Sequence, residues 1–165
     1  MKYRSILASV ILALVLFVFP LSAQAASSSS VTNSLVNKGV GGKDFSGQSL
    51  IGIEFTSVKL ENTNFNNADL RGAVFNGVLL DTVNFHGVDF SQGIAYLSRF
   101  KDADLSDAVF TDAMMLRSTF DKVDVTGADF TNAILDMIQV RKICTKASGV
   151  NSKTGVDTRQ SLGCK

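Results

Sequence analysis

The chain has 165 residues, is 45% apolar and carries a formal charge of +1, enough for one domain with its own core. With 16 basic against 15 acidic residues it has neither the excess of a general polyanion binder nor a large negative field.

Residues 1–25 read as a secretory signal peptide. Lys2 and Arg4 form a basic start, Ile6 to Leu21 an apolar run, and Ala23-Gln24-Ala25 a small-x-small cleavage site before Ala26. The run is short for a membrane span, so no stable membrane anchor is expected after cleavage; an uncleaved anchor is the alternative. Arginine is not paired here, which points to the general secretory route, and the lack of a Ser/Arg-rich transit peptide favours a bacterial source. Cleavage leaves 14 basic and 15 acidic residues, with no Pro, no Trp and ten Phe.

Residues 26–42 form a polar linker and an N-terminal cap. Val31, Leu35 and Val36, with Thr32 or Asn33 as the helix cap, predict one short helix before Gly41-Gly42.

From 43 to 142 the chain repeats every five residues. Of the 19 positions from Phe45 to Leu135, 16 are Leu or Phe, the exceptions being Ala95, Met115 and Val125. All ten Phe beyond residue 25 fall in this register. Two residues before each, from Ile53 through Ala133, stands a second set drawn from Ala, Val, Thr, Ser, Gly and Ile. On a helix, steps of five smear the large side chains around every face. On a flat strand, odd steps send alternate members to opposite sides. The pattern buries its apolar set only if the chain turns about a quarter circle per repeat. Four repeats then close one square coil, and Gly47, Gly72, Gly77, Gly87 and Gly127 suit its corners. This predicts an all-β, quadrilateral β-helix of about five coils, stacked at roughly 4.8 Å.

The stretches NADLRGAVF, KDADLSDAVF and TGADFTNAIL resemble the A-(D/N)-(L/F)-x-x signature of pentapeptide repeat proteins. The resemblance implies a right-handed helix with the Leu/Phe and the small residue two before it inside. GKDFSGQSL at the first repeat and ICTKASGVNSKTGVDTRQSLGCK at the end are similar to exported cyanobacterial and thylakoid-lumenal members, the second to their two-cysteine tail. That implies a thylakoid-lumen or periplasmic location in a cyanobacterium-like organism.

Residues 143–165 form the C-terminal cap. In an exported protein Cys144 and Cys164 read as a disulfide before a metal site or redox motif. Two free buried thiols are the alternative. A solenoid exposes hydrogen-bonding edges and core at each end, so both ends are expected to be capped.

No catalytic, metal or cofactor site is expected. His86 is the one histidine, without a Cys or carboxylate cluster at ligand spacing. No phosphate loop, nucleophile elbow or zinc signature occurs. Some proteins of the resembled family mimic duplex DNA and bind gyrase, and here Asp69, Asp89 and Asp129, and separately Asp104 and Asp124, would stack in columns. The favoured reading of those residues is turn capping. The export signal and near-neutral charge also argue against that partner, so DNA mimicry toward gyrase is the alternative function, and no nucleic acid partner is expected.

The remaining signal is an outward column. Positions four repeats apart stack on one face, and the position just before each inward residue points to solvent. On three faces this column is polar apart from Leu79 and Val109; on the fourth it reads Glu54, Val74, Ile94, Met114, Ile134. Tyr96, Leu97, Leu116 and Met137 lie beside it. An apolar stripe of this kind marks an interface with an unidentified protein partner or a second copy; coverage by the chain's own termini is the alternative. Ala95 on that face leaves a gap between Phe75 and Met115, which the flexible Met115 is expected to fill in part.

Overall fold

The computed structural model describes residues 41–165. The expected signal peptide, the linker and the short helix over 31–40 lie outside these residues. Among the described residues no helix is long and apolar enough to cross a membrane.

The period of five is built at one backbone position. At 18 successive repeats, from Gly47 to Asn132, the residue two after each inward side chain has φ between 52° and 71°. Six of these are glycine, which takes the left-handed conformation at no steric cost. Leu97, Arg117 and Lys122 adopt it as well, so the corner is imposed by coil closure and not by local preference alone. At most corners the inward residue's carbonyl accepts the N–H three residues on, as from Gln48 to Phe45 at 3.1 Å and from Ala73 to Leu70 at 3.0 Å.

Between corners, short extended segments pair in parallel with the segment four repeats later, as Glu54 does with Val74. The longer ones are β1 (Glu54–Thr56), β2 (Val74–Asn76) and β3 (Ile94–Tyr96), which form one sheet, and β4 (Arg99–Lys101) with β5 (Thr119–Asp121), which form another. Single bridges extend these into four columns: Asp44 through Asp124, Ser49 through Asp129, Glu54 through Ile134, and Lys59 through Thr119. The chain is therefore square in section, as the spacing predicts.

The inward residues fill the tube, and the phenylalanines are almost wholly removed from water. Each such ring contributes roughly 1.5–3 kcal/mol. Their distribution follows a rule that the period does not reveal. Lower in the tube, Phe45, Phe55, Phe65 and Phe75 occupy two opposite faces, with Leu50, Leu60 and Leu70 on the others. Higher up, Phe100, Phe110, Phe120 and Phe130 occupy the other pair of faces, stacked at 5.0 Å as Phe100 on Phe120 and Phe110 on Phe130. The change falls in the coil that carries Phe85, Phe90, Ala95 and Phe100. Three rings at one level require the fourth residue to be small, because a protein interior has no spare volume. Ala95 is that residue.

Phe90 takes up the space beside Ala95. Its ring stacks on Phe75, with centroids 5.4 Å apart and planes 23° from parallel. A Cβ placed on Gly93 would come 2.5 Å from the Phe90 ring. Gly93 and Ala95 are thus both reduced to admit Phe90, which fills the room that Met115 was expected to share.

The bridged columns end at Asp124, Asp129, Ile134 and Thr119. Gln139, which the repeat count places in the fourth column, lies instead in helix α1 (Met137–Cys144). A second helix, α2 (Thr158–Leu162), starts at Asp157, whose side chain accepts the Gln160 N–H, and ends at Gly163 with φ 66°. The carbonyls that a further coil would have offered come from elsewhere. Asp136 Oδ2 accepts the Arg117 N–H at 2.8 Å and Gln139 Oε1 that of Phe120 at 3.1 Å. Ser161 Oγ accepts from Phe130 N at 3.0 Å, and the Ser148 carbonyl from Gly127 N at 2.8 Å.

Candidate functional site

The polar outward columns are part of the turns. The side chain before an inward residue accepts the N–H of the residue after it: Asp44 from Ser46, Asn64 from Asn66, Asn84 from His86, Asp104 from Ser106 and Asp124 from Thr126, each at 2.9–3.1 Å. Asp89 and Asp129 do the same toward Ser91 and Thr131 and also accept their hydroxyls at 2.6 Å. Such local bonds offer the backbone a partner at a corner. They hold the Asp44 carboxyl below the usual carboxylate range, the Ser46 N–H being the main cause. Asp69 is lowered chiefly by the Arg71 guanidinium, which bonds it at 2.8 and 2.7 Å. These columns are turn caps, as their spacing before the inward residue suggests.

His86 belongs to a hydrogen-bonded chain with Ser106 and Asp104. Its Nδ1 lies 2.8 Å from Ser106 Oγ, and that hydroxyl donates to Asp104 Oδ1 at 2.6 Å. The serine has one hydroxyl proton and gives it to the carboxylate, so Nδ1–H is the donor to serine. An activated nucleophile needs the reverse order, with the base accepting from the serine. The three side chains tie neighbouring coils together and do not assemble a reactive serine. Among the described residues no group of His, Cys, Asp and Glu could hold a metal ion.

The apolar column is assembled as the spacing places it. Val74 pairs with Ile94, Ile94 with Met114, and Met114 with Ile134. Val74 is half-buried, while Ile94, Met114 and Ile134 are 37%, 41% and 52% exposed. Leu97 is exposed at the adjoining corner, where Tyr96 and Leu116 are half-covered and the Arg117 guanidinium lies 5.8 Å above the Tyr96 ring. Met137 is exposed too, but on α1 and not on a coil. Its neighbour Ile138, exposed likewise, escapes the repeat count because that count runs through it.

Two buried serines support this corner from inside. The Ser98 hydroxyl accepts the Val78 N–H at 3.3 Å and lies 3.1 Å from the Phe75 carbonyl. The Ser118 hydroxyl accepts the Ser98 N–H at 3.0 Å and donates to the Ala95 carbonyl at 2.6 Å. Here a hydroxyl from the next coil bridges a turn that lacks its own closing hydrogen bond.

The C-terminal segment lies along a different part of the rod. Asn151, almost wholly buried, donates through Nδ2 to the carbonyls of Asp107 at 3.1 Å and Gly127 at 2.8 Å. Lys153 reaches lower, to the Gly87 carbonyl. A glycine lets it approach: a Cβ on Gly149 would stand 2.9 Å from the Gly127 nitrogen. Cys144 and Cys164 are disulfide-bonded, and Arg159 Nη1 donates to the Cys144 carbonyl at 2.8 Å.

Comparison with known proteins agrees with this geometry. The family model described as pentapeptide repeats matches in eight copies over residues 44–77, 59–94 and 98–136. A stretch of 40 residues is 52% identical to thylakoid lumenal protein TL20.3 of Arabidopsis thaliana, covering 24% of this chain and 14% of that protein. The crystal structure of a pentapeptide repeat protein from the Arabidopsis thaliana thylakoid lumen superposes with a TM-score of 0.75 at 35% identity, over 76% of this chain and 88% of that one. The plasmid-mediated fluoroquinolone resistance protein QnrB1 superposes with a TM-score of 0.53 at 30% identity, over 56% of this chain and 46% of that one. These neighbours give the coil its hand, a right-handed β-helix.

Proposed function

The chain belongs to the pentapeptide repeat family, and from that premise we propose that it is a non-enzymatic, exported scaffold that binds a protein through its apolar outer face. The rod has about five coils, closed at the C-terminal end by the disulfide-stapled segment. The observation that carries the reading is the bridged column Val74, Ile94, Met114, Ile134, which the C-terminal segment leaves uncovered. Exposed apolar area at this density is costly unless a partner uses it. Tyr96, Leu97, Leu116 and Met137 widen the surface, and a second copy of the chain is the other occupant.

The lumenal relatives and the signal-like N-terminus support a thylakoid-lumen or periplasmic setting. The test is Ile94→Asp combined with Met114→Asp. Loss of a captured partner or dimer, with the fold retained, is expected. Unchanged association would overturn the reading, and unfolding would assign the column to the chain's own packing.

A DNA-mimicking, gyrase-directed role is the second reading, favoured by the likeness to QnrB1. Residues 43–136 also hold 14 acidic against seven basic residues. Of the carboxylates that cap turns, Asp44, Asp69, Asp89, Asp104 and Asp124 keep exposed surface but are fixed by their hydrogen bonds, and Asp129 is buried. Inhibition of gyrase supercoiling by the purified protein would favour this role.

A further inference from the structure

The C-terminal end carries charge as well as apolar area, and it shares only Met137 with the surface around the apolar column. Residues 137–165 hold six basic residues and one acidic residue, opposite in balance to the coils. Within this end, α1 turns one face outward. Met137, Ile138, Arg141 and Lys142 are exposed, while Gln139, Val140, Ile143 and Cys144 are covered in whole or part, and the exposed Thr145 and Lys146 follow in the turn beyond the helix. At about 100° per residue the exposed helical set spans roughly 140° of the circumference. Ile138 is 74% exposed, and the apolar pair stands among three cations.

Beside the helix opens a cleft of about 200 Å³. Val123, Val125 and Ile143 are its apolar lining, with Lys122, Thr145 and Lys146 as its polar lining. Room exists because Val125 ends a column of inward residues that begins with Phe45, Phe65 and Phe85. Asp121 also borders the cleft, but its carboxylate is held by Lys142 Nζ at 2.9 Å.

We infer that this end docks on an anionic lipid bilayer, with Met137 and Ile138 entering the headgroup layer and an anionic headgroup resting in the lysine-lined cleft. An outward helix face mixing apolar tips with cations is the arrangement that binds such an interface, through apolar area and attraction to anionic lipid together. An extended acidic peptide would need a groove longer than this cleft, which is smaller than the few hundred Å³ of an ordinary ligand pocket. The contact is peripheral and reversible, since it involves two apolar side chains and no lipid anchor.

The test is co-sedimentation of the protein, in the form that an exporting cell accumulates, with vesicles of phosphatidylcholine alone or with roughly one-third phosphatidylglycerol. Wild type is compared with Ile138→Asp and Lys146→Glu, both at exposed positions, with circular dichroism as the check on folding. The apolar run at 6–21 is common to all three, so the difference between them is the readout. Binding to anionic vesicles only, weakened by added salt and about tenfold weaker in each variant, is expected. Absent binding, equal binding to both vesicle types, or variants that bind like wild type would overturn the proposal. So would variants that bind vesicles normally but lose a soluble acidic protein partner, which would reassign the face to protein.

Discussion

Phe90 lies over the backbone of Gly93, so close that a Cβ there would stand 2.5 Å from the ring. The contact explains why the coil of Phe85, Phe90 and Phe100 needs both a glycine and an alanine. Gly93→Ala is therefore an overpacking change and is expected to cost about 1–3 kcal/mol. Phe90→Leu in the same chain should recover part of that loss, since the ring is what the methyl meets. Denaturant midpoints of the two single variants and the double variant check this; additive losses would contradict the contact.

At the C-terminal edge, Asp136 and Gln139 substitute their side chains for the backbone of an absent coil. Gln139→Ala should cost on the order of 1 kcal/mol, because the partly buried Phe120 N–H loses its acceptor, and Asp136→Ala should cost less, because water can replace the acceptor of the exposed Arg117 N–H. Faster amide exchange confined to Phe120 and Arg117 respectively is the accompanying sign. Global exchange changes would instead indicate loss of α1 as a whole.

The Cys144–Cys164 bond joins cysteines separated by 20 positions in sequence. Reduction should remove on the order of 3 kcal/mol of constraint on the unfolded chain. The coils do not contain either cysteine, so early proteolysis is expected in 145–165 while the repeat stays resistant. Melting temperature and protease resistance that both survive reductant would refute stapling.

Lys142 holds the Asp121 carboxyl below the usual carboxylate range, its hydrogen bond being the main cause. A carboxyl whose folded pKa is depressed stabilises the fold at pH above its unfolded value, and that contribution disappears as pH falls through the folded value. Both side chains are about half exposed, so the effect is a modest acid-side loss at the α1 end. Lys142→Met should flatten this part of the stability–pH curve, as thermal unfolding at successive pH values would reveal.

Much of the architecture was legible because a period of five buries Phe and Leu in only one way. The corner positions, the four columns and the apolar stripe follow from counting single repeats and then groups of four. Asp as a turn cap followed from its place before the inward residue. The counting failed where the same spacing persists without the fold. Leu135 and Val140 keep the apolar step, yet Met137–Cys144 is helical. The small side chain at 95 was visible as a gap, but its cause lies in a ring from a neighbouring face, which no single column contains. The course of the C-terminal segment was not legible either, because it depends on Asn151 and Lys153 finding the carbonyls of Gly127 and Gly87, which are remote in sequence.

The exchange of ring-bearing faces in the coil of Phe85 to Phe100 also limits how such a rod can change length. Below it, a duplicated block of four repeats would stack Phe on Phe and Leu on Leu, as Phe55 on Phe75 already does at 5.2 Å. Above it, the same holds for the faces of Phe100 and Phe110. A deletion that removed the exchange coil would set Phe65 and Phe75 directly against Leu105 and Met115, and Leu70 and Leu80 against Phe110 and Phe120, without the Gly93 and Ala95 that reconcile them. Growth by gene duplication is thus open at either end of the rod and closed at its middle, which makes the third coil the fixed point from which its length is counted.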